Sequence, residues 1–299
     1  MQLVFSSSND PAYNLATEEY LFSKGEDEYA FFYCNNPCVV IGCNQVWRNE
    51  VNAFFCEENQ IPVLRRLSGG GAVYHDRGNL NYSFITNKTP QNPGTTPDFL
   101  HPVVVALARL GIMSIVGPRK DLWLPGGYKI SGTASHVTMN RVLQHGTLLY
   151  DTNLEMLQGA LNLSRQQPAP PGSSEAIVLP GQSAGNVATS SLPGQTTGSS
   201  STSSLSGQSA GNAATSSAPA RGIPSVPSPV KNIVHYLIDK AGSSYTSFLG
   251  ASVFYKELVR ELGTIMCLSE DFELTLEDHS KIVAIKNSRY DREEWNRRK

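Results

Sequence analysis

Residues 65–84 read RRLSGGGAVYHDRGNLNYSF. The stretch reads as a strand ending in two arginines, a three-glycine turn at 69–71, and a return strand carrying His75 and Asp76. Consecutive glycines let a ligand approach the main chain with no Cβ in the way. Successive N–H groups in such a turn form an anion-binding concavity, and flanking arginines add fixed positive charge. A phosphate-bearing small molecule is the natural guest. No Gly-Lys-Ser/Thr follows, so this is not a P-loop, and it does not open a helix as G-x-G-x-x-G does. The alternative is a tight β-hairpin with an arginine-capped edge.

Upstream of this stretch, PAYNLATEEYLFSK (11–24) predicts a helix, with Asn9 or Asp10 as cap and Pro11 at the first position. Leu15, Ala16, Tyr20 and Leu21 give its apolar face, and Glu18 and Glu19 a solvated one. EYAFFYC and CVVIGCNQ are apolar runs separated by Asn35–Pro37, a hairpin-like pair. VNAFFCEENQ reads as a short helix and IPVLRR as the strand feeding the glycine turn. Downstream, PDFLHPVVVALARL (97–110) predicts a helix ended by Gly111. Short strand candidates follow: IMSIVG, DLWL, YKISGTASHV and RVLQHGTLLYD. This pattern indicates an α+β fold with a mixed or antiparallel sheet. SVFYKELVRELGTIM and LEDHSKIVAIKNSRYDREEW are helix-like, and the charged tail from Arg292 to Lys299 is expected to fray.

The second stretch that bears on chemistry is YKISGTA, 128–134. Strand alternation puts Lys129, Ser131, Thr133 and Ser135 on one face, a pattern suited to a phosphate and a polarised carbonyl. The competing reading is an exposed lysine with polar neighbours.

Residues 166–220 change character: Ser, Gly, Ala, Thr, Gln and Pro dominate, and GQSAGNVATSS at 181–191 recurs as GQSAGNAATSS at 207–217. Such a composition cannot bury enough apolar surface to offset chain entropy, so a disordered insertion is expected. Loop closure grows only logarithmically with length, so the fold is expected to continue across it.

The 299 residues allow one large domain or two modest ones, and 24 basic against 26 acidic residues argue against nucleic-acid or membrane-surface binding through bulk charge. The N-terminus resembles neither a secretion signal nor a transit peptide, and no membrane span is evident, so a cytoplasmic protein is expected. Five cysteines, an odd number, fit reduced thiols. Cys34, Cys38, Cys43 and Cys56 are close enough in sequence to raise a zinc site, but the first three fall on or at the ends of apolar runs and no C-x-x-C pair exists.

Taken in order, RRLSGGGAVYHDRGNLNYSF, DLW, KISGTA and QHGTLL resemble the lipoate–protein ligase family, related in fold to biotin ligases. The resemblance runs from about Phe5 to Ser164 and resumes at Gly222 with GIPSVPSPVKNI. The G-R-G-R-x-G loop of biotin ligases is absent. The resemblance implies a biotin/lipoate ligase-like catalytic domain, with a mixed, largely antiparallel sheet and flanking helices. Its implied reaction joins lipoate and ATP, with magnesium, to form lipoyl-AMP, then transfers the acyl group to a lysine of an apo lipoyl carrier domain. The implied carriers are the E2 subunits of 2-oxoacid dehydrogenases and the H protein of glycine cleavage. Lys129 is the implied catalytic residue. Arg66, Ser68, Gly69, Gly70, Gly71, Val73, His75, Asp121, Ser131 and Thr133 are the implied lipoyl-adenylate contacts, with Asp121 also a candidate for magnesium. The related octanoyltransferases carry the acyl group on a cysteine beyond the lysine block; here none occurs between Cys56 and Cys267.

The chain departs from the family in four places. Lys120 stands where R-N-D-L is usual, and His136 where arginine is frequent. The 166–220 segment falls where the adenylate-binding loop belongs. The chain is expected to lack the C-terminal accessory domain of two-domain ligases, whose part a separate protein would play. Two further readings follow: a lipoyltransferase that uses only preformed lipoyl-AMP, and a non-catalytic protein that binds acyl-adenylate or carrier domains.

Overall fold

The computed structural model describes residues 1–90, 97–162, 222–242, 249–269 and 272–298. The low-complexity stretch 166–220 lies outside the described residues.

A five-stranded sheet carries the fold, in the order β1 (Gln2–Phe5), β2 (Tyr29–Tyr33), β6 (Asn79–Asn87), β11 (Arg141–Leu149), β10 (Thr133–Val137). Only the β1–β2 pair is parallel. Both faces are covered, which is why β2 reads as an unbroken apolar run rather than an alternating one. Ala30 and Phe32 face a cluster built from α4 (His101–Arg109), α7 (Ala251–Met266) and strands β8 (Leu122–Leu124) and β9 (Tyr128–Ser131). Tyr29, Phe31 and Tyr33 face α1 (Pro11–Ser23) and α8 (Leu276–Ile285). The α1 boundary follows its sequence signals: Asp10 accepts from Ala12 N at 2.9 Å and Pro11 takes the first turn.

Two small sheets flank this layer. One is ordered β4 (Val63–Arg65), β3 (Cys38–Ile41), β5 (Val73–His75); the other is β7 (Ile115–Val116), β8, β9. The first small sheet packs with α3 (Ala53–Glu58) and α5 (Leu154–Ala160) around Val39, Ile41, Tyr74 and Leu157.

Three expectations are corrected. The runs before and after Asn35–Pro37 are not a hairpin, because β2 joins the five-stranded sheet and β3 the small one. The strands flanking the glycine turn do not pair with each other either; β3 lies between them, parallel to β4 and antiparallel to β5. The charged tail does not fray at Trp295 and Asn296. Helix α9 (Glu293–Asn296) holds the edge of β4, where Asn296 Oδ1 accepts Arg65 N at 3.0 Å and Trp295 Nε1 donates to Arg65 O at 2.8 Å. That edge would otherwise leave an N–H and a carbonyl unpaired in the interior.

Candidate active site

The glycine turn crosses the end of β3. Arg66 N donates to Ile41 O and Cys43 N to Ser68 O, so the loop is hung on that strand from both sides. Gly70 has φ +88°, a left-handed conformation that glycine adopts without strain. Arg65, fully buried, donates to the carbonyls of Gly42 and Gln45 at 3.1 and 2.8 Å and has no carboxylate among its named hydrogen-bond partners.

Arg66 is buried too, and braces the loop. Its Nε donates to Ser68 Oγ at 2.9 Å, one terminal nitrogen to Val40 O at 3.0 Å, and the other to Gly69 O and Gly71 O at 2.6 and 2.8 Å. Drawing those two carbonyls inward turns the N–H groups of Gly70 and Ala72 the opposite way, since a trans peptide points its C=O and N–H in opposite directions. Burial lowers the Arg66 guanidinium to about 10, with Glu18 opposing the shift.

Behind the loop runs a buried chain that sequence reasoning missed. Ser68 Oγ meets His145 Nε2 at 2.7 Å, and His145 Nδ1 meets Glu18 Oε1 at 2.8 Å, which also accepts from Ser83 Oγ. Glu18 is 3% exposed, so the expected solvated face of α1 is overturned there. Burial alone would raise its carboxyl; His145, Ser83 and Arg66 outweigh that and hold it below the usual range. Glu19, on the same turn, pairs with Arg289 and Tyr290.

A cavity of about 740 Å³, open mouth included, lies over the loop. Arg66, Gly71, Val73, His75, Asp121, Lys129 and Thr133 line it, so seven of the expected contacts meet in one place. Leu15, Tyr33 and Val40 give it apolar wall, and Arg119 further positive charge. Ser68, Gly69 and Gly70 form the loop without lining the cavity. Ser131 is turned away and buried, with its hydroxyl 3.3 Å from Tyr82 OH. The expected run of one face from Lys129 to Ser135 breaks at Gly132, where the chain leaves β9 for β10 in the other sheet.

Lys129 Nζ lies 3.2 Å from Asp121 Oδ2. Burial lowers the Lys129 ammonium below its ordinary value, Asp121 opposes this, and Arg119 adds to it. Burial would raise Asp121, but the adjacent Trp123 indole and Lys129 hold it low. Among the described residues Asp121 is the only carboxylate lining the cavity, and no three His, Cys, Asp or Glu side chains stand together as a metal site. All five cysteines are free, and burial pushes Cys34 up to about 12 and Cys56 to about 11.

Residues 222–231 return to this site. Lys129 N donates to Pro229 O at 2.8 Å, extending β9. Ser225 N donates to Glu50 at 2.9 Å, and its Oγ accepts from Gln45 at 3.0 Å and from Ala72 N at 2.8 Å. Ser225 and Val226 line the cavity; GIPSVPSPVKNI was the signal for them, and QHGTLL the signal for His145.

Residues 10–176 match the model of the lipoyl protein ligase A/B catalytic domain. The chain belongs to this family. It is 44% identical over 161 residues to the lipoate-protein ligase LplJ of Bacillus subtilis, covering 53% of this chain and 48% of that protein. It is 42% identical over 165 residues to lipoate–protein ligase 1 of Staphylococcus aureus, covering 54% and 50%. The chain thus spans about half the length of the curated relatives it matches. Protein Ta0514 of T. acidophilum, solved with bound lipoic acid, superposes with a TM-score of 0.68 at 20% identity, over 99% of this chain and 98% of that one. Lipoate-protein ligase A bound with ATP superposes with a TM-score of 0.65 at 21% identity, over 99% and 98%. At such identity the likeness is one of fold, and this ligase-family chain has the biotin/lipoate ligase-like α+β architecture read from its motifs.

Proposed function

We propose that this chain attaches lipoate to a lysine of apo lipoyl carrier domains at the expense of ATP, by way of lipoyl-AMP. The observation that carries the reading is that Lys129 and the glycine loop, 58 residues apart at Gly71, line one cavity with an apolar wall. In the first step a lipoate carboxylate oxygen attacks the α-phosphorus of ATP, and the bond to pyrophosphate breaks. In the second the ε-amine of the carrier lysine attacks the acyl carbon, the bond to AMP breaks, and the amine's extra proton passes to solvent. Both steps gather negative charge at one end of the acyl chain. The Lys129 ammonium, with Arg119 beside it, is fixed in a partly desolvated site where it stabilises that charge more than water would. Arg66 acts through the loop it braces, and Val73 lies along the acyl chain.

Asp121 alone, already paired with Lys129, fits a magnesium ion poorly. Magnesium belongs to this reading as a companion of the ATP phosphates. The described parts on either side of 163–221 contribute to the same body, which supports one catalytic domain interrupted by a low-complexity insertion. Five free thiols fit a reducing compartment such as the cytoplasm. Among the described residues no helix is long and apolar enough to cross a membrane. E2 subunits and glycine-cleavage H protein are the proposed acceptors.

Mass spectrometry of an apo carrier domain incubated with the full chain, lipoate, ATP and magnesium is the test. One added lipoyl group per domain is expected. Failure rescued by synthetic lipoyl-AMP would reduce the chain to a transferase, and failure with both would leave it a binding protein.

A further inference from the structure

His75 presents a buried polar atom that nothing above uses. The residue is 4% exposed and lines the cavity, and its Nε2 has no hydrogen-bond partner among the described residues. Buried polar groups are nearly always paired, so an orphan on a residue that lines a cavity calls for a partner supplied by a ligand.

The network behind His75 fixes which kind of partner. Asn14 Nδ2 lies 3.0 Å from Ser8 O, and a carbonyl only accepts, so that atom is the amide NH₂. The same Nδ2 lies 2.8 Å from the Asn35 side chain, which must therefore offer its oxygen there. The other end of Asn35 is then its NH₂, and it lies 3.0 Å from His75 Nδ1. That nitrogen is held as an acceptor, so the imidazole proton sits on Nε2. Burial, with Arg66 and His145 nearby, drops the ring to about 3 and keeps it neutral. His75 is a neutral N–H donor on a residue that lines the cavity, and its Nε2 is unpaired and buried.

Its place along the cavity follows from β5. Gly71, Val73 and His75 all line the cavity at steps of two residues, about 7 Å per step in an extended chain. A substrate with its activated head at the glycine loop and Lys129 runs its tail past Val73 toward His75, between Leu15, Tyr33 and Val40.

We propose that His75 Nε2–H donates a hydrogen bond to the distal end of the acyl substrate, with Asn14 and Asn35 as positioning residues. It thereby favours a tail ending in a polarisable acceptor, such as the dithiolane sulfurs of lipoate, over the plain alkyl tail of octanoate. The proposal rests on the substrate class given above.

Two measurements on the full chain test it. Two-bond ¹H–¹⁵N spectra of the histidines are expected to show His75 as the Nε2–H tautomer, with lipoate moving its signals and octanoate leaving them in place. In Asn35→Leu, which removes the donor to Nδ1, both tautomers should appear. Calorimetric Kd values for lipoate and octanoate should show the preference for lipoate falling about five- to tenfold in His75→Phe, the worth of one hydrogen bond. The Nδ1–H tautomer in the unsubstituted chain, or an unchanged ratio in folded His75→Phe, overturns the proposal alone. Binding of neither acid to the unsubstituted chain overturns the substrate class and this proposal with it.

Discussion

Lys129 Nζ, in β9, and Asp121 Oδ2, on the residue just before β8, stand 3.2 Å apart beside a register shift between Leu122 and Trp123. The pair ties the residue before β8 to a lysine in β9. Asp121 thus opposes the effect of burial and keeps Lys129 charged further up the pH scale. Because Asp121 raises the lysine, Asp121→Asn lowers it, and the ammonium is lost at lower pH. The alkaline limb of the pH–rate profile for transfer from lipoyl-AMP should therefore move to more acid pH. Lys129→Ala should reduce transfer about a hundredfold or more. An alkaline limb that stays in place in Asp121→Asn would mean that the pair only ties two strands together.

How much of this was legible depends on the range of the interactions. The α1 start was readable because Asp10 and Pro11 act within one turn. The glycine loop and Lys129 were readable because each motif is short and carries its own chemistry. Partner choice was not. Period-two patterning says which side of a strand is buried, but not that β3 lies between β4 and β5. Helical spacing alone puts Glu18 on a solvated face, because its partner His145 lies 127 residues away. Ser131 was placed in the site by an alternation that ends one residue later, at Gly132.

The Glu18–His145–Ser68 chain supports the loop from behind, so its loss should register in stability as well as activity. Glu18→Leu strands the His145 Nδ1–H and the Ser83 hydroxyl in the interior. We expect a loss of about 3 kcal/mol, as for other broken buried pairs, measured by urea unfolding. Glu18→Gln keeps an acceptor oxygen and should lose about 1 kcal/mol, the net worth of a neutral hydrogen bond. Equal and small losses in both would mean the chain carries no load.

Lys120 has φ +57° in the turn closed by Gly117 N to Asp121 O at 2.8 Å. Left-handed backbone costs a residue with a Cβ about 1–2 kcal/mol, and asparagine and glycine tolerate it best. This gives a physical reason for the asparagine of the R-N-D-L pattern that the chain departs from. Lys120→Asn and Lys120→Gly should each raise the melting temperature by about 2–4 °C per kcal/mol of strain relieved. Scanning calorimetry showing no rise in either would mean the turn is not strained.

Gly42 ends β3 directly under the glycine loop, and a Cβ there would collide with the carbonyl oxygen of Gly70. The contact is backbone on backbone, so no rotamer change relieves it. Either β3 shifts or the loop does. β3 is held between two strands and is fully buried along its length, whereas Gly69 and Gly70 are less enclosed. The loop should therefore yield. Overpacking of this kind costs about 1–3 kcal/mol, but the displaced Gly70 also pulls on the Gly69 and Gly71 carbonyls that Arg66 holds. Gly42→Ala should raise the KM for lipoyl-AMP about tenfold or more, since a misplacement of about 1 Å at a binding group is felt strongly. Its midpoint of urea unfolding should move only modestly. A large stability loss with unchanged KM would mean that β3 gives way instead, and that the loop is the stiffer of the two.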